Sequence, residues 1–219
     1  DPTYVPREGH GEATDRVRGL RPGYRVDADF DWDDGTPVVR EVAVLDRTLF
    51  AFVPDADPVF EAAQSCWEAA RREGAPMNSR VTYTTEGDPA GVVYVFAGQQ
   101  GQRDIFEEFR DGVKPLDPLV DRLADGEEPP FEAFVLDAAD GDYVVVYLVV
   151  EKGGMVADTV RDTYDVPRPA EPLFGDDGEG GAQQPSTPDA GAGTSAAGDD
   201  GADDFDLGDA LGDLPSEDG

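Results

Sequence analysis

The sequence predicts an α+β protein: an N-terminal antiparallel β-meander or small barrel, then a mixed domain of helices and β-hairpins, then a disordered acidic C-terminal tail. Residues 24–32 alternate apolar and polar side chains without a break, which is typical of a half-buried strand. Helical and strand patterns then succeed one another as far as residue 166. From residue 167 the chain is rich in Pro, Gly, Ala, Ser, Thr and Asp. It has too few large apolar residues there to offset the entropy of ordering.

The N-terminal part divides into two segments. Residues 1–19 show no helical or strand pattern and are predicted to be irregular. Because the chain begins at Asp1 rather than at a methionine, we expect this segment to be processed or truncated. Residues 20–53 are predicted to form the meander, with strands at residues 24–32, 38–45 and 48–53 and a hairpin turn at Asp33-Asp34-Gly35-Thr36.

The first predicted strand has one apolar face, which we expect to be core. It consists of Tyr24, Val26, Ala28, Phe30 and Trp32. The opposite face carries Arg25 and alternate aspartates, and we expect it to face water. These aspartates do not match a calcium loop, because Asp34 stands where the turn glycine belongs and Arg40 where the bidentate glutamate belongs.

Residues 54–166 are predicted to form the mixed domain, continuous with the meander or packed against it. Its first helix is expected to begin with Asp57 as N-cap and Pro58 at the first helical position, and to end at Gly74. The core face of this helix is predicted to consist of Phe60, Ala63, Trp67 and Ala70, with Cys66 beside them.

A hairpin, two short helices, two strands and a last helix are predicted to follow, at residues 80–85 with 92–97, 105–110, 117–125, 131–136, 143–151 and 155–164. Residues 143–150 are apolar on both faces. Such a segment must be covered on each side, so we expect it to be the central strand of the sheet.

The best local candidate for a ligand site is the glycine-rich loop between a strand and a helix at residues 98–104. Backbone N–H groups at such a junction can hold an anion, and an arginine can clamp it. The predicted ligand-binding residues are Gly98, Gly101, Gln102 and Arg103. The loop matches neither the dinucleotide fingerprint nor the phosphate loop, and we favour the alternative that it is a tight turn that needs two glycines for its geometry.

A second candidate lies in the tail, at residues 203–214. Four large apolar side chains lie among its aspartates, and we expect them to line one side of a short helix that forms on a protein partner. They are Phe205, Leu207, Leu211 and Leu214. The alternative is a solvated acidic tail, which Gly208 and Gly212 favour because each disfavours a free helix by ~1 kcal/mol relative to alanine.

The charge balance indicates where the protein works. The chain has 49 acidic and 17 basic residues, 15 of the latter arginine, and residues 1–166 alone carry 35 acids against 16 bases. Aspartate-rich, lysine-poor composition is typical of the cytoplasm of an extreme halophile, where molar salt screens self-repulsion. It argues against nucleic acid as a partner. The longest strongly apolar run, residues 143–150, is far short of the roughly 18 residues that span a bilayer, which argues against a membrane partner.

Catalytic and metal chemistry finds little support in the residue types. With one cysteine and one histidine the chain offers no zinc-ligand set, and no cofactor is predicted. Cys66 is expected to be a small core residue rather than a nucleophile. His10 lies between two glycines, with no helical or strand pattern to hold an imidazole in place. We therefore favour a protein without catalytic activity.

Five segments are similar to an uncharacterised haloarchaeal protein family of unknown function: Pro2-Thr3-Tyr4-Val5-Pro6, Leu20-Arg21-Pro22-Gly23-Tyr24-Arg25-Val26, Met77-Asn78-Ser79-Arg80-Val81, Phe106-Glu107-Glu108-Phe109-Arg110-Asp111-Gly112 and Thr159-Val160-Arg161-Asp162-Thr163-Tyr164. The resemblance covers residues 1–166 and leaves out the tail. It implies a halophilic origin, and it implies no activity and no functional residues.

These observations predict a non-enzymatic binding or adaptor protein of the haloarchaeal cytoplasm. Its acidic folded part would carry a tail that docks a protein partner. The alternative is a ligand-binding or enzymatic module that uses residues 98–104 as an anion cradle.

Overall fold

The computed structural model describes residues 2–98, 104–140 and 142–172. The strands are β1 (Arg25–Asp33), β2 (Thr36–Asp46), β3 (Leu49–Ala56), β4 (Met77–Tyr83), β5 (Pro89–Ala97), β6 (Glu132–Ala138) and β7 (Tyr143–Val149). The α-helices are α1 (Thr14–Gly19), α2 (Glu61–Glu73), α3 (Ile105–Arg110), α4 (Asp117–Ala124) and α5 (Met155–Thr163). The protein is therefore of the predicted α+β class, with one antiparallel two-stranded sheet and one mixed five-stranded sheet.

The β1–β2 hairpin closes at the predicted turn. Asp34 and Gly35 both have positive φ, 46° and 83°, as the two central residues of a type I′ turn require. Asp33 pairs with Thr36 directly beside the turn, and the antiparallel pairing continues as far as Arg25. The local sequence thus determines both the turn and the register next to it.

Strand β3 departs from the predicted meander, because it joins the five-stranded sheet and pairs in parallel with β6. The described residues form no closed barrel. Leu49, Ala51 and Val53 are buried on one face of β3, while Phe50 and Phe52 are half-buried on the other. A strand that is apolar on both faces needs cover on each side, and the two-stranded hairpin cannot provide it.

Strand β7 is central, as predicted. The order in the larger sheet is β3-β6-β7-β5-β4, and all seven residues of β7 are buried. Helices α2 and α5 cover one face, where their core residues include Ala63, Cys66 and Val160. Helices α3 and α4 cover the other face through residues such as Phe106 and Leu123.

Helix α2 begins later than predicted, at Glu61, and its N-cap is Phe60 rather than Asp57. Tyr164 explains the difference, because its hydroxyl accepts a hydrogen bond from Phe60 N and donates one to Pro58 O, both at 3.1 Å. These contacts hold the approach to the helix in a non-helical path. The predicted end at Gly74 is confirmed, with φ at +67°.

The predicted core face of β1 is only partly covered. Val26 and Ala28 pack with Val17 of α1, but Phe30 and Trp32 are 42% and 61% exposed. The N-terminal segment predicted as irregular contains α1 and a 3-10 helix at Gly11–Ala13. Because α1 has only six residues, it packs against Val26 and Ala28 and leaves the aromatic end of the sheet open.

Candidate functional site

The predicted anion cradle lies partly outside the described residues. Gly101, Gln102 and Arg103 fall outside them, so their proposed role stays a prediction. Gly98 is described, and its N–H donates a 2.8 Å hydrogen bond to Asp142 O, at the beginning of β7. This N–H group is therefore already engaged within the fold.

At the N-terminus of α3, the Asp104 carboxylate occupies the hydrogen-bonding position that a bound anion would need. Its Oδ1 accepts hydrogen bonds from the N–H groups of Phe106 at 2.9 Å and Glu107 at 3.3 Å. Aspartate is a common N-cap because it satisfies helix N–H groups that otherwise lack a partner. The N-terminus of α3 is thus capped by the chain itself.

Carboxylates surround this end of the sheet. A shallow pocket of about 360 Å³ is lined by Asp104, Glu107, Glu108, Asp111 and Val113. Burial raises the pKa of the Asp137 carboxyl, and the nearby charges of Asp104, Asp55, Glu107 and Asp140 raise it further. Such a potential repels anions, so the described flank of the loop argues against an anion cradle.

The predicted docking residues of the tail, Phe205, Leu207, Leu211 and Leu214, also lie outside the described residues. Their role stays a prediction. The start of the predicted tail differs from expectation, however, because residues 167–172 are bound to the folded part. We call residues 165–172 the C-terminal strap.

The strap is held both through its backbone carbonyls and through the side chains of Arg168 and Glu171. Arg161 Nη1 donates to Pro167 O at 3.0 Å, Arg21 Nε donates to Ala170 O at 3.0 Å, and Arg47 Nη1 donates to Pro172 O at 3.3 Å. These donors come from α5, from the segment before β1 and from the link between β2 and β3. One short segment therefore ties together the N-terminal hairpin and the end of the larger sheet.

The most deeply buried charge in the described residues lies under the strap. Glu132 is fully buried, and its Oε2 accepts from Arg161 Nε at 2.8 Å. Its Oε1 accepts from Gly153 N at 3.1 Å and from Arg168, which also pairs with Asp158. Because every oxygen of this buried carboxylate has a partner, the charge is tolerated in the interior.

A second polar group on the strap centres on Glu171. Its Oε2 accepts from Lys152 Nζ at 2.7 Å and from the Tyr24 hydroxyl at 2.5 Å. Burial alone would raise the pKa of Glu171, but the hydrogen bonds from Lys152 and Tyr24 outweigh burial and lower it. Arg47 and Lys152 lie 6.0 and 5.9 Å from the centre of the Tyr24 ring.

Tyr24 gives a prediction at alkaline pH. Burial, followed by the hydrogen bond and charge of Glu171, raises the pKa of Tyr24 to about 12. The stabilising contribution of the neutral phenol is present below the ordinary tyrosine pKa of ~10 and is lost as pH rises towards the folded value. We expect the free energy of unfolding to fall less steeply in Tyr24→Phe than in the parent chain over this window, as measured by urea unfolding. Tyr83→Phe, at an exposed tyrosine, is the control, and equal slopes for parent and Tyr24→Phe would contradict the prediction.

The single cysteine and the single histidine are both built into the fold. Cys66 is buried as predicted, and burial raises the pKa of its thiol. The expectation that nothing holds His10 is wrong. Its Nε2–H donates to Pro6 O at 2.5 Å and its Nδ1 accepts from Val39 N at 3.0 Å, so both ring nitrogens have structural partners.

The model of a family of unknown function, DUF6663, matches residues 1–169 of the chain. The chain belongs to this family. No curated protein and no solved structure matched the chain.

The DUF6663 match covers the whole sheet and the first part of the strap, including Arg168. It therefore contains Glu132 and Arg161, which the sequence analysis did not single out. The signals that could have identified them are an acid at the start of β6, directly before its apolar run at residues 133–136, and an arginine beside Val160 in α5.

Two features are absent from the described residues. No group of three or more His, Cys, Asp or Glu side chains is arranged there to hold a metal ion. No helix among these residues is both long and apolar enough to cross a membrane.

Proposed function

We propose that this DUF6663 member is a non-enzymatic binding or adaptor protein of the haloarchaeal cytoplasm. The observation that carries the proposal is the acidic segment 203–214, in which four large apolar side chains interrupt five aspartates. Exposed apolar side chains in an otherwise polar segment supply the anchors through which short segments bind partners. The engagement of Cys66 and His10 within the fold supports a role in binding rather than in catalysis.

The haloarchaeal setting rests on composition. The formal net charge is −32, and 33 of the 49 acids are aspartates, while lysine occurs only twice. Such a chain resists aggregation in concentrated salt because its carboxylates stay strongly hydrated and like-charged. A cytoplasm filled with molar KCl is the solvent that suits this composition.

The adaptor role predicts that the tail captures a protein. The test is affinity capture from a haloarchaeal lysate at molar KCl, with the parent chain beside a variant in which Phe205, Leu207, Leu211 and Leu214 are all alanine. We expect a partner recovered with the parent to bind the variant at least ~10-fold more weakly, equivalent to ~1.4 kcal/mol.

The matched control also removes four large apolar side chains, but from the folded part. It replaces Leu45, Tyr83, Val113 and Met155, all of which are exposed, with alanine. This control should retain the partner. Equal recovery of every bound protein with the parent and the tail variant would contradict the adaptor proposal.

A further inference from the structure

The open part of the β1–β2 sheet forms a groove of about 420 Å³. We call it the N-terminal groove. Its lining is mostly apolar, and its main contributors are Val17, Leu20, Val26, Ala28, Phe30 and Val42. One wall is the N-terminal segment that contains Thr3, Val5 and Arg7. The volume lies within the ~300–1,000 Å³ typical of ligand pockets, and is thus large enough for a few apolar side chains.

The apolar surface continues beyond the groove. Phe30 lies at one end, 42% exposed, and its ring meets Trp32 edge-to-face with 6.3 Å between ring centroids. Val5 on the opposite wall is 38% exposed. Contiguous exposed apolar and aromatic surface of this kind marks a site of interaction. The aromatic rings supply large contact areas that need little ordering on binding.

The charges around the groove indicate what binds there. Arg7 and Arg21 both line it, and neither has a carboxylate partner among the described residues. Arg21 donates to the carbonyls of Arg18, Gly19, Leu20 and Ala170 instead. The nearby carboxylates of Glu8 and Asp15 are already paired with Arg18. In a chain with 49 acids and 17 bases, the lining of the groove thus carries two arginines and no carboxylate, which favours an acidic ligand.

We infer that the N-terminal groove binds a peptide segment of a partner protein in which aromatic or leucine side chains are interspersed with carboxylates. The apolar side chains enter the groove, and the carboxylates pair with Arg7 and Arg21 at its rim. Ion pairs in direct contact persist in concentrated salt because the Debye length at ~1 M is still ~3 Å. Salt screens the attraction only between charges that are farther apart. The inference does not depend on the adaptor proposal, since it concerns the folded part as receptor rather than the tail as ligand.

The test uses a labelled synthetic peptide with the sequence of residues 203–214 as a probe of this chemistry. Fluorescence anisotropy in molar KCl measures its affinity for the full-length chain and for the full-length chain with its four tail apolar residues replaced by alanine. Two further peptides, one with its Phe and Leu residues changed to Ser and one with its aspartates changed to Asn, separate the apolar and charged contributions. We expect both changed peptides to bind at least ~10-fold more weakly than the probe.

Variants of the receptor locate the binding site. We expect Phe30→Asp and Arg7→Glu each to weaken binding of the probe by at least ~10-fold. The control variants Tyr83→Asp and Arg71→Glu should leave its affinity unchanged. All four positions are exposed, so the variants should fold, and thermal unfolding checks that they do. Failure of the probe to bind either chain, or binding that ignores Phe30→Asp and Arg7→Glu, would overturn the proposal.

The same experiment distinguishes two other candidate occupants of the N-terminal groove. Binding of the probe only after the chain's own tail residues are replaced would assign the groove to residues 203–214 of the same protein and overturn a separate partner. Self-association that is lost in Phe30→Asp would assign the face to a second copy of the chain, with the same consequence for the proposal.

Discussion

Glu132→Ala is expected to lower the free energy of unfolding by about 3–5 kcal/mol, the usual effect of removing one partner from a buried ion pair. Glu132 is fully buried and Arg161 is 94% buried, so the substitution leaves an arginine in the interior without its carboxylate. Arg168 and Gly153 N lose a hydrogen-bond acceptor at the same time. Urea unfolding at molar KCl measures the change.

Two comparisons make the result specific. Asp31→Ala removes the partner of Arg40 from an exposed pair, and exposed pairs contribute only ~0–1 kcal/mol. Replacing Glu132 and Arg161 together with leucine and methionine should recover much of the stability, because no unpaired charge remains between them. A loss in Glu132→Ala no greater than that in Asp31→Ala would contradict the prediction that the buried ion pair matters more than an exposed one.

The protease sensitivity of the strap gives a second measurement. Arg168 pairs with both Glu132 and Asp158, and it belongs to a segment whose carbonyls also accept hydrogen bonds from the folded part. Weakening this attachment should make residues 165–172 accessible to protease before the sheet unfolds. Global destabilisation alone would expose the sheet and the strap together.

Local patterns in the sequence correctly predicted much of the fold. Strand β7 was identifiable as central because residues 143–150 are apolar on both faces, and a strand can be apolar on both sides only if both are covered. The turn at Asp34 and Gly35 was identifiable because positive φ at both positions suits those residue types. In each case the physical cause lies within a few neighbouring residues.

The errors involve choices made over long sequence distances. Nothing in the periodicity of β3 states that its partner is β6, about 80 residues later, rather than the adjacent β2. His10 is held by Pro6 and Val39, and neither contact leaves a pattern in the sequence around the histidine. The exposure of Phe30 and Trp32 was not predicted, for the same reason. Alternation predicts that a strand has an apolar face, but it does not tell whether another element covers that face.

The candidate sites show the same limit. The glycine-rich loop was recognised as a strand–helix junction, but the carboxylates of Asp55, Asp104 and Asp137 that gather beside it come from three separate elements. Their combined charge is visible only once the sheet is assembled. The N-terminal groove was also hidden in the sequence, because its residues lie on the N-terminal segment, α1 and both strands of the hairpin.

Transfer from molar KCl to dilute buffer is expected to lower the free energy of unfolding by several kcal/mol, a large part of the ~5–15 kcal/mol that stabilises a typical domain. Residues 1–166 carry 35 acids and 16 bases, so the folded part repels itself. The Debye length rises from ~3 Å at ~1 M salt to ~10 Å at ~0.1 M. Charges that are screened from one another in concentrated salt therefore repel in dilute buffer. Thermal unfolding across a KCl series measures the effect.

Charge-neutral variants separate self-repulsion from other effects of salt. Asp27 and Asp29 are exposed on the same face of β1, and Asp29 lies opposite Glu41 of β2, an arrangement that destabilises antiparallel pairs. Asp27→Asn with Asp29→Asn should therefore raise the melting temperature in dilute buffer and change it little in molar KCl. If the same gain appeared at both salt concentrations, the stabilisation would come from strand propensity or hydration rather than from relief of repulsion. The acidic surface would then not be the cause of the salt requirement.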